Sequence, residues 1–202
     1  MEERTERTGE LPGSCQSGRA DTPAVELAEL KRRLSQERPD SWADLPDIPL
    51  YMDQVVSYLS RQLISFEEGD GLTSAMINNY IKDGLLARAN GKKYDQEHLA
   101  YLTAISAMKQ VLSVREMRTL IAIGQEGRDS KRLYDFFCQT LDEALSETAA
   151  RLDENTSDHD LPKLVLALAL RSYVDGLACR RVLAIMAERE GKSDLLEKGR
   201  KK

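Results

Sequence analysis

The chain reads as a mainly α protein with one small β-hairpin and a C-terminal helical hairpin. Composition is the first reason: 41% of the 202 residues are apolar but only 5% are aromatic. Leu and Ala dominate the apolar set, a balance that favours packed helices over a β-sandwich. Periodicity is the second, because most apolar residues recur at the spacing of one helix face. The third is local: Asn90-Gly91, between short extended pieces over Arg88–Lys93, is the strongest short-range hairpin signal.

Residues 1–21 are rich in Glu, Arg, Thr, Gly and Ser without apolar period, and are expected to be a disordered tail. Thr22-Pro23 opens a helix as N-cap and first helical position. Its residues Val25, Leu27, Leu30 and Leu34 form an incomplete stripe that must dock on another element. This helix and a linker fill residues 22–45. Lys31, Arg32 and Arg33 form either a solvated face or a phosphate-contacting arm. Trp42, Leu45, Ile48, Leu50 and Tyr51 are expected to clamp onto the following domain. Asp53 is a capping or first-turn acid for a helix running to about Leu63, with Val55, Val56, Leu59 and Leu63 facing the core. The connection ISFEEGDG then exceeds the usual 3–4-residue turn between paired helices. It brings Glu67, Glu68 and Asp70, and is expected to point away from any nucleic acid.

The chain is organised around Thr73–Tyr94. Thr73 is an N-cap, Met76, Tyr80 and Ile81 face inward, and Gly84 supplies a left-handed C-cap. Ser74, Asn78, Asn79 and Lys82 lie on or near the opposite side. Arg88 to Lys93 makes a basic hairpin with Asn90-Gly91 at its tip. Four cations (Lys82, Arg88, Lys92, Lys93) against Asp83 give +3 inside a chain of net charge −5, and it is the face presented to a polyanion that counts. Asn side chains can read adenine edges while Arg and Lys meet phosphates. The same residues also suit an ordinary solvated helix face and turn.

Asp95 caps a helix to about Val111 whose buried stripe is Leu99, Leu102, Ala104, Ile105 and Met108. Ser113-Val114-Arg115-Glu116 is a capping box, with Leu112 and Met117 as its hydrophobic staple, and starts a helix over 114–123. Gly124 to Ser130 is a polar break and the expected end of a unit over 46–124. A helical hairpin over 131–190 follows. Its first helix carries Leu133, Phe136, Phe137, Leu141, Ala144, Leu145 and Leu152 on one face. The second, capped by Asp160, is apolar all round at 164–170, which requires burial in a bundle or against a second subunit. Residues 191–202 are a charged tail.

The run NYIKDGLLARANGKKYDQEHLAYLTAISAMKQVLSVREMRTLI resembles the DNA-binding half of MerR-type regulators. Their pattern is a recognition helix, an aromatic-x-x-x-Gly-Leu-Leu step, a basic wing ending in Tyr, and two further helices. The Ile-Asn-Asn-Tyr and Lys-Lys-Tyr runs resemble more closely an uncharacterised bacterial family of unknown function built on that module. The resemblance spans about residues 46–123. It implies a MerR-like winged helix-turn-helix that reads double-stranded DNA through Thr73, Ser74, Asn78, Asn79, Lys82, Arg88, Lys92, Lys93 and Tyr94. A module with few phosphate contacts binds weakly, so a homodimer through the C-terminal helices is expected. The alternative is a protein-interaction module that keeps this fold without binding DNA. A small apolar effector held by Leu164–Leu170, Tyr173 and Phe136–Phe137 is a further possibility.

No catalytic, metal-binding or cofactor-binding residues are expected. His98 and His159 stand in unrelated contexts, and no phosphate loop, HExxH or nucleophile pattern occurs. Cys15, Cys138 and Cys179 are far apart and odd in number, which excludes a disulfide framework; Cys138 and Cys179 are expected to be buried thiols. No run reaches the ~20 apolar residues of a membrane span. The N-terminus lacks the apolar region of a secretion signal, so a cytoplasmic protein is expected.

Overall fold

The computed structural model describes residues 23–66, 71–124, 129–189 and Gly191. The expected tails apart from Gly191, Thr22, the acidic Glu67, Glu68 and Asp70, and residues 125–128 of the polar break lie outside the described residues, as does Cys15 in the first tail. The element order is α1 (Pro23–Gln36), β1 (Leu50–Tyr51), α2 (Met52–Leu59), α3 (Ser74–Lys82), β2 (Lys93–Tyr94), α4 (Gln96–Met108), α5 (Val114–Gly124), α6 (Ser130–Ala150) and α7 (Leu161–Arg189). The fold is mainly α, as expected, with one two-stranded antiparallel sheet pairing Leu50 with Tyr94 and Tyr51 with Lys93.

The core lies where α2, α3 and α4 converge. Val55, Ile77, Leu99, Leu102 and Ile105 are completely buried there. Because α4 takes α2, β2 and α6 on different sides, its buried residues extend beyond a single stripe, and even Thr103 is fully enclosed. That hydroxyl avoids an unpaired burial by donating to Leu99 O at 2.9 Å. Helix α5 starts on the expected capping box: Glu116 Oε2 accepts from Ser113 N–H at 2.8 Å, and Ser113 Oγ accepts from Glu116 N–H at 3.3 Å.

Asp40 ties three parts of the chain together. Its carboxylate accepts from Tyr58 Oη at 2.7 Å and from Gln62 Nε2 at 2.9 Å. Its N–H donates to Gln62 Oε1 at 2.9 Å, and its carbonyl accepts from Tyr134 Oη at 2.9 Å. Burial, followed by the neighbouring Asp40 carboxylate, pushes the Tyr58 phenol well above its ordinary pKa. This hub explains why α2 stops at Leu59 rather than near Leu63. Arg61 and Gln62 close tighter i→i−3 bonds to Tyr58 and Leu59, which turns the Gln62 amide inward to Asp40. Tyr134 also packs edge-on against Trp42 and beside Phe137, so the first turns of α6 belong to the same core. Of the expected clamp, Leu45 is buried and Trp42 and Leu50 pack on the core. Ile48 and Tyr51 are exposed, at 66% and 51%.

Helix α1 docks along α6, with Leu27 buried. Its basic cluster is spent within the chain: Lys31 pairs with Glu154, Arg32 with Glu29, and Arg33 with Glu37. These partly exposed pairs fit the solvated-face reading of the cluster. Helix α7 behaves differently. Its close neighbour is α5, not the preceding α6, and burial is confined to Gly176, Leu183 and Ala187. Val165, Leu166 and Leu170 are more than half exposed, so residues 164–170 are not enclosed in a bundle within one chain. Cys179 is exposed, contrary to expectation, while Cys138 is half-buried and burial raises its thiol pKa. Among the described residues no helix is long and apolar enough to cross a membrane.

Candidate nucleic-acid interface

Helix α3 is held by both its ends. Thr73 Oγ1 accepts from Met76 N–H at 3.2 Å, satisfying one of the first-turn donors. At the other end Gly84 N–H donates to Ile81 O at 3.2 Å and Leu85 N–H to Tyr80 O at 2.8 Å. That pair of bonds is a Schellman motif, and it needs the left-handed φ of +70° that Gly84 supplies. Arg118 Nη1 from α5 donates to Asp83 O at 3.1 Å, which covers another carbonyl at the helix end. Inward, Ile77 and Tyr80 are buried, with Met76 and Ile81 packed at the edge of the core. The fully buried Ile77 belongs to the inward set together with Met76, Tyr80 and Ile81, and is its most enclosed member. Outward, Thr73, Ser74, Asn78, Asn79 and Lys82 are all exposed.

The wing is one residue out of the expected register. Asn90 and Lys93 exchange two backbone hydrogen bonds of 3.0 Å, so the turn residues are Gly91 and Lys92 rather than Asn90 and Gly91. Their φ values of +57° and +68° identify a type I′ turn, whose twist matches that of paired strands. A left-handed lysine is strained by about 1–2 kcal/mol relative to glycine. Besides this single bridge to Asn90, the descending strand β2 pairs with β1, which precedes α2. Lys93 Nζ sits 5.1 Å from the centre of the Tyr51 ring, so an otherwise exposed aromatic supports the base of the wing. No local signal could have revealed Tyr51 in this role, because the pairing spans about forty positions.

Arg88, Lys92 and Lys93 are exposed. Tyr94 is not: it is 4% exposed, pairs with Leu50 and stacks edge-on with His98 at 5.5 Å. The expected DNA-contacting role for Tyr94 is therefore replaced by an anchoring one, since its ring lies in the core. The next residue fixes the wing's exit. Asp95 Oδ1 accepts from His98 N–H at 3.1 Å and faces His98 Nδ1 at 2.6 Å. Burial opposes ionisation of Asp95, but these bonds from His98 outweigh it and hold its pKa below the ordinary value.

Lys82, Arg88, Lys92 and Lys93 enter no ion pair among the described residues, whereas cations of α1, α6 and α7 are repeatedly matched to Asp or Glu. The stem of the acidic connection runs to other elements: Arg33 donates to Ser65 O and lies over the Phe66 ring, and Lys109 donates to Gly71 O. Among the described residues no group of His, Cys, Asp or Glu is placed to hold a metal ion.

No curated protein and no solved structure matches the chain. A family model, Domain of unknown function (DUF1836), matches residues 40–137. The matched span begins at the Asp40 hub and ends at Phe137 beside Tyr134. The part of the chain that builds the core and carries α3 and the wing is thus similar to this family, and the match covers a little under half of the 202 residues.

Proposed function

We propose that the protein is a sequence-specific DNA-binding transcriptional regulator with a MerR-like winged helix-turn-helix. In this reading α3 is the recognition helix, entering the major groove with Ser74, Asn78 and Asn79, while Lys82 and the wing cations Arg88, Lys92 and Lys93 contact phosphates. The observation that carries it is an exposed polar helix face followed within one short stretch by cations left unmatched among the described residues. Such side chains keep their full charge for a polyanion, and Tyr80, Leu85, Leu86 and Tyr94 anchor their backbone in the core. Two copies, joined through the C-terminal helices, present two such surfaces. That doubling lifts affinity out of the non-specific range of about 10⁻⁴–10⁻⁶ M.

A second reading is a protein-interaction module without DNA binding. It is favoured by the exposed carboxylates of Asp83, Asp95 and Glu97 in and beside the same stretch, and by the net charge of −5. One gel-shift series separates the two. Retardation of random duplex fragments at low salt and micromolar protein supports the regulator; its absence leaves the interaction module.

A further inference from the structure

Two apolar features of the described surface have no mate within the chain. The first is on α7, where Leu166, Leu170, Tyr173 and Leu177 follow one another at i, i+4, i+7 and i+11. Each is more than half exposed. At 3.6 residues per turn they form one stripe, turned about 100° from the side on which Gly176, Leu183 and Ala187 root the helix. The second is a groove of about 500 Å³ between α4, α5, α6 and the last turns of α7, walled by Tyr101, Met108, Leu120, Leu133, Phe137 and Met186. Phe136 also lines it and remains 68% exposed. The residues 164–170 and Tyr173 are not part of its lining.

We infer that a second copy of this chain joins the two features: the α7 stripe of each copy lies against α6 and the groove of the other. Charge selects this pairing. Helix α7 carries Lys163, Arg171, Arg180, Arg181 and Arg189 against Asp175 and Glu188, or 5 − 2 = +3. Helix α6 carries Lys131 and Arg132 against Asp135, Asp142, Glu143 and Glu147, or 2 − 4 = −2. Counting Asp160, paired with Lys163, and Arg38, paired with Asp142, leaves +2 and −1, so setting α7 on α7 of the second copy would oppose two positive helices, whereas setting it on α6 brings opposite signs together. Area agrees: each copy would cover its stripe with the adjacent Val174, and Phe136 at its groove, together on the order of the ~800 Å² that each partner buries in a stable complex. Access agrees as well, since α6 and α7 diverge instead of packing along each other. The contact is reciprocal, so a two-fold axis closes it and leaves neither feature uncovered. The inference rests on the proposed joining of two copies through the C-terminal helices and specifies its contact; since neither α3 nor the wing takes part, it is tested without DNA.

Light scattering on the full chain at tens of micromolar should give twice the monomer mass of 22.7 kDa. Leu170→Glu, at an exposed site that folding does not need, should keep the helical circular dichroism and return the protein to monomer. Its dissociation constant should rise by about a thousandfold, because a hot spot worth about thirtyfold counts twice across a two-fold axis. The arrangement is read by cross-linking in a background with Cys15→Ser, Cys138→Ser and Cys179→Ser. Mixing the Phe136→Cys and Leu170→Cys variants should yield a disulfide between the two differently tagged chains. A monomeric wild type overturns the inference. So does a dimer that cross-links through Leu170→Cys alone with no mixed product, which would place α7 on α7. A dimer whose groove binds the dye ANS as well as the Leu170→Glu monomer does would also overturn it, and would point to a small apolar occupant.

Discussion

The wing lysines give the most quantitative handle on the proposed function. Replacing both by alanine would confound charge with conformation, because Lys92 sits at φ +68°. Lys92→Asn with Lys93→Gln avoids this, since Asn tolerates the left-handed region and Gln leaves the β1–β2 pairing intact. If Lys82, Arg88, Lys92 and Lys93 each neutralise one phosphate, log K falls with log salt at a slope of about −0.9 per contact, near −3.6 for each module. Without the two wing lysines the slope is near −1.8. Between about 50 and 200 mM salt each engaged module should then lose about 150-fold in affinity in the parent and about 12-fold in the variant, and both factors are squared where both modules of a dimer contact the duplex. Fluorescence anisotropy on random-sequence duplex, titrated across that salt range, measures both slopes. An unchanged slope would falsify the assignment of these lysines to phosphate contacts, whatever happens to the affinity at one salt concentration.

Three further outcomes follow from the packing. Ile77→Ala empties a completely buried site under α3 and should cost about 2–5 kcal/mol in urea unfolding; a loss below 1 kcal/mol would mean that α3 is not seated as described. Tyr134→Phe removes the bond to Asp40 O and should cost about 1 kcal/mol, whereas no change would show that the hub holds without it. Asp95 has a folded pKa below the ordinary carboxylate value because the His98 bonds outweigh its burial. A depressed carboxylate stabilises the fold above the unfolded value of about 3.9, and that contribution disappears as pH falls through the lower folded value. Asp95→Asn should therefore lower the melting temperature at neutral pH and flatten its decline in acid; parallel melting curves from pH 7 to 2 would contradict the linkage.

Legibility from sequence followed the range of the interactions. The Thr73 cap, the Gly84 stop and the Ser113–Glu116 box involve groups within a few residues of one another, and each is found where local chemistry puts it. Ile77 and Tyr134 were less visible, since each looks like one apolar residue among several until neighbouring elements are placed. The wing shows both sides. A turn at Asn90–Lys93 was readable, but its register by one residue was not, because pairing of Lys93 and Tyr94 with Leu50 and Tyr51 decides it. Tyr94 shows the same limit: it ends a basic run in sequence, as an interface residue would, yet lies in the core in space.

The amino-acid sequence by itself determined the helical class, most helix boundaries, and the concentration of positive charge between Lys82 and Lys93. Those properties depend on spacing, capping and composition, which act over one or two turns. Only the tertiary structure decided that Asp40 gathers Tyr58, Gln62 and Tyr134, that α1's cations are consumed by neighbouring carboxylates, and that α7 stands with an apolar side uncovered. Each of these rests on contacts between segments far apart in the chain, and local periodicity says which face of a helix is apolar without saying what will cover it.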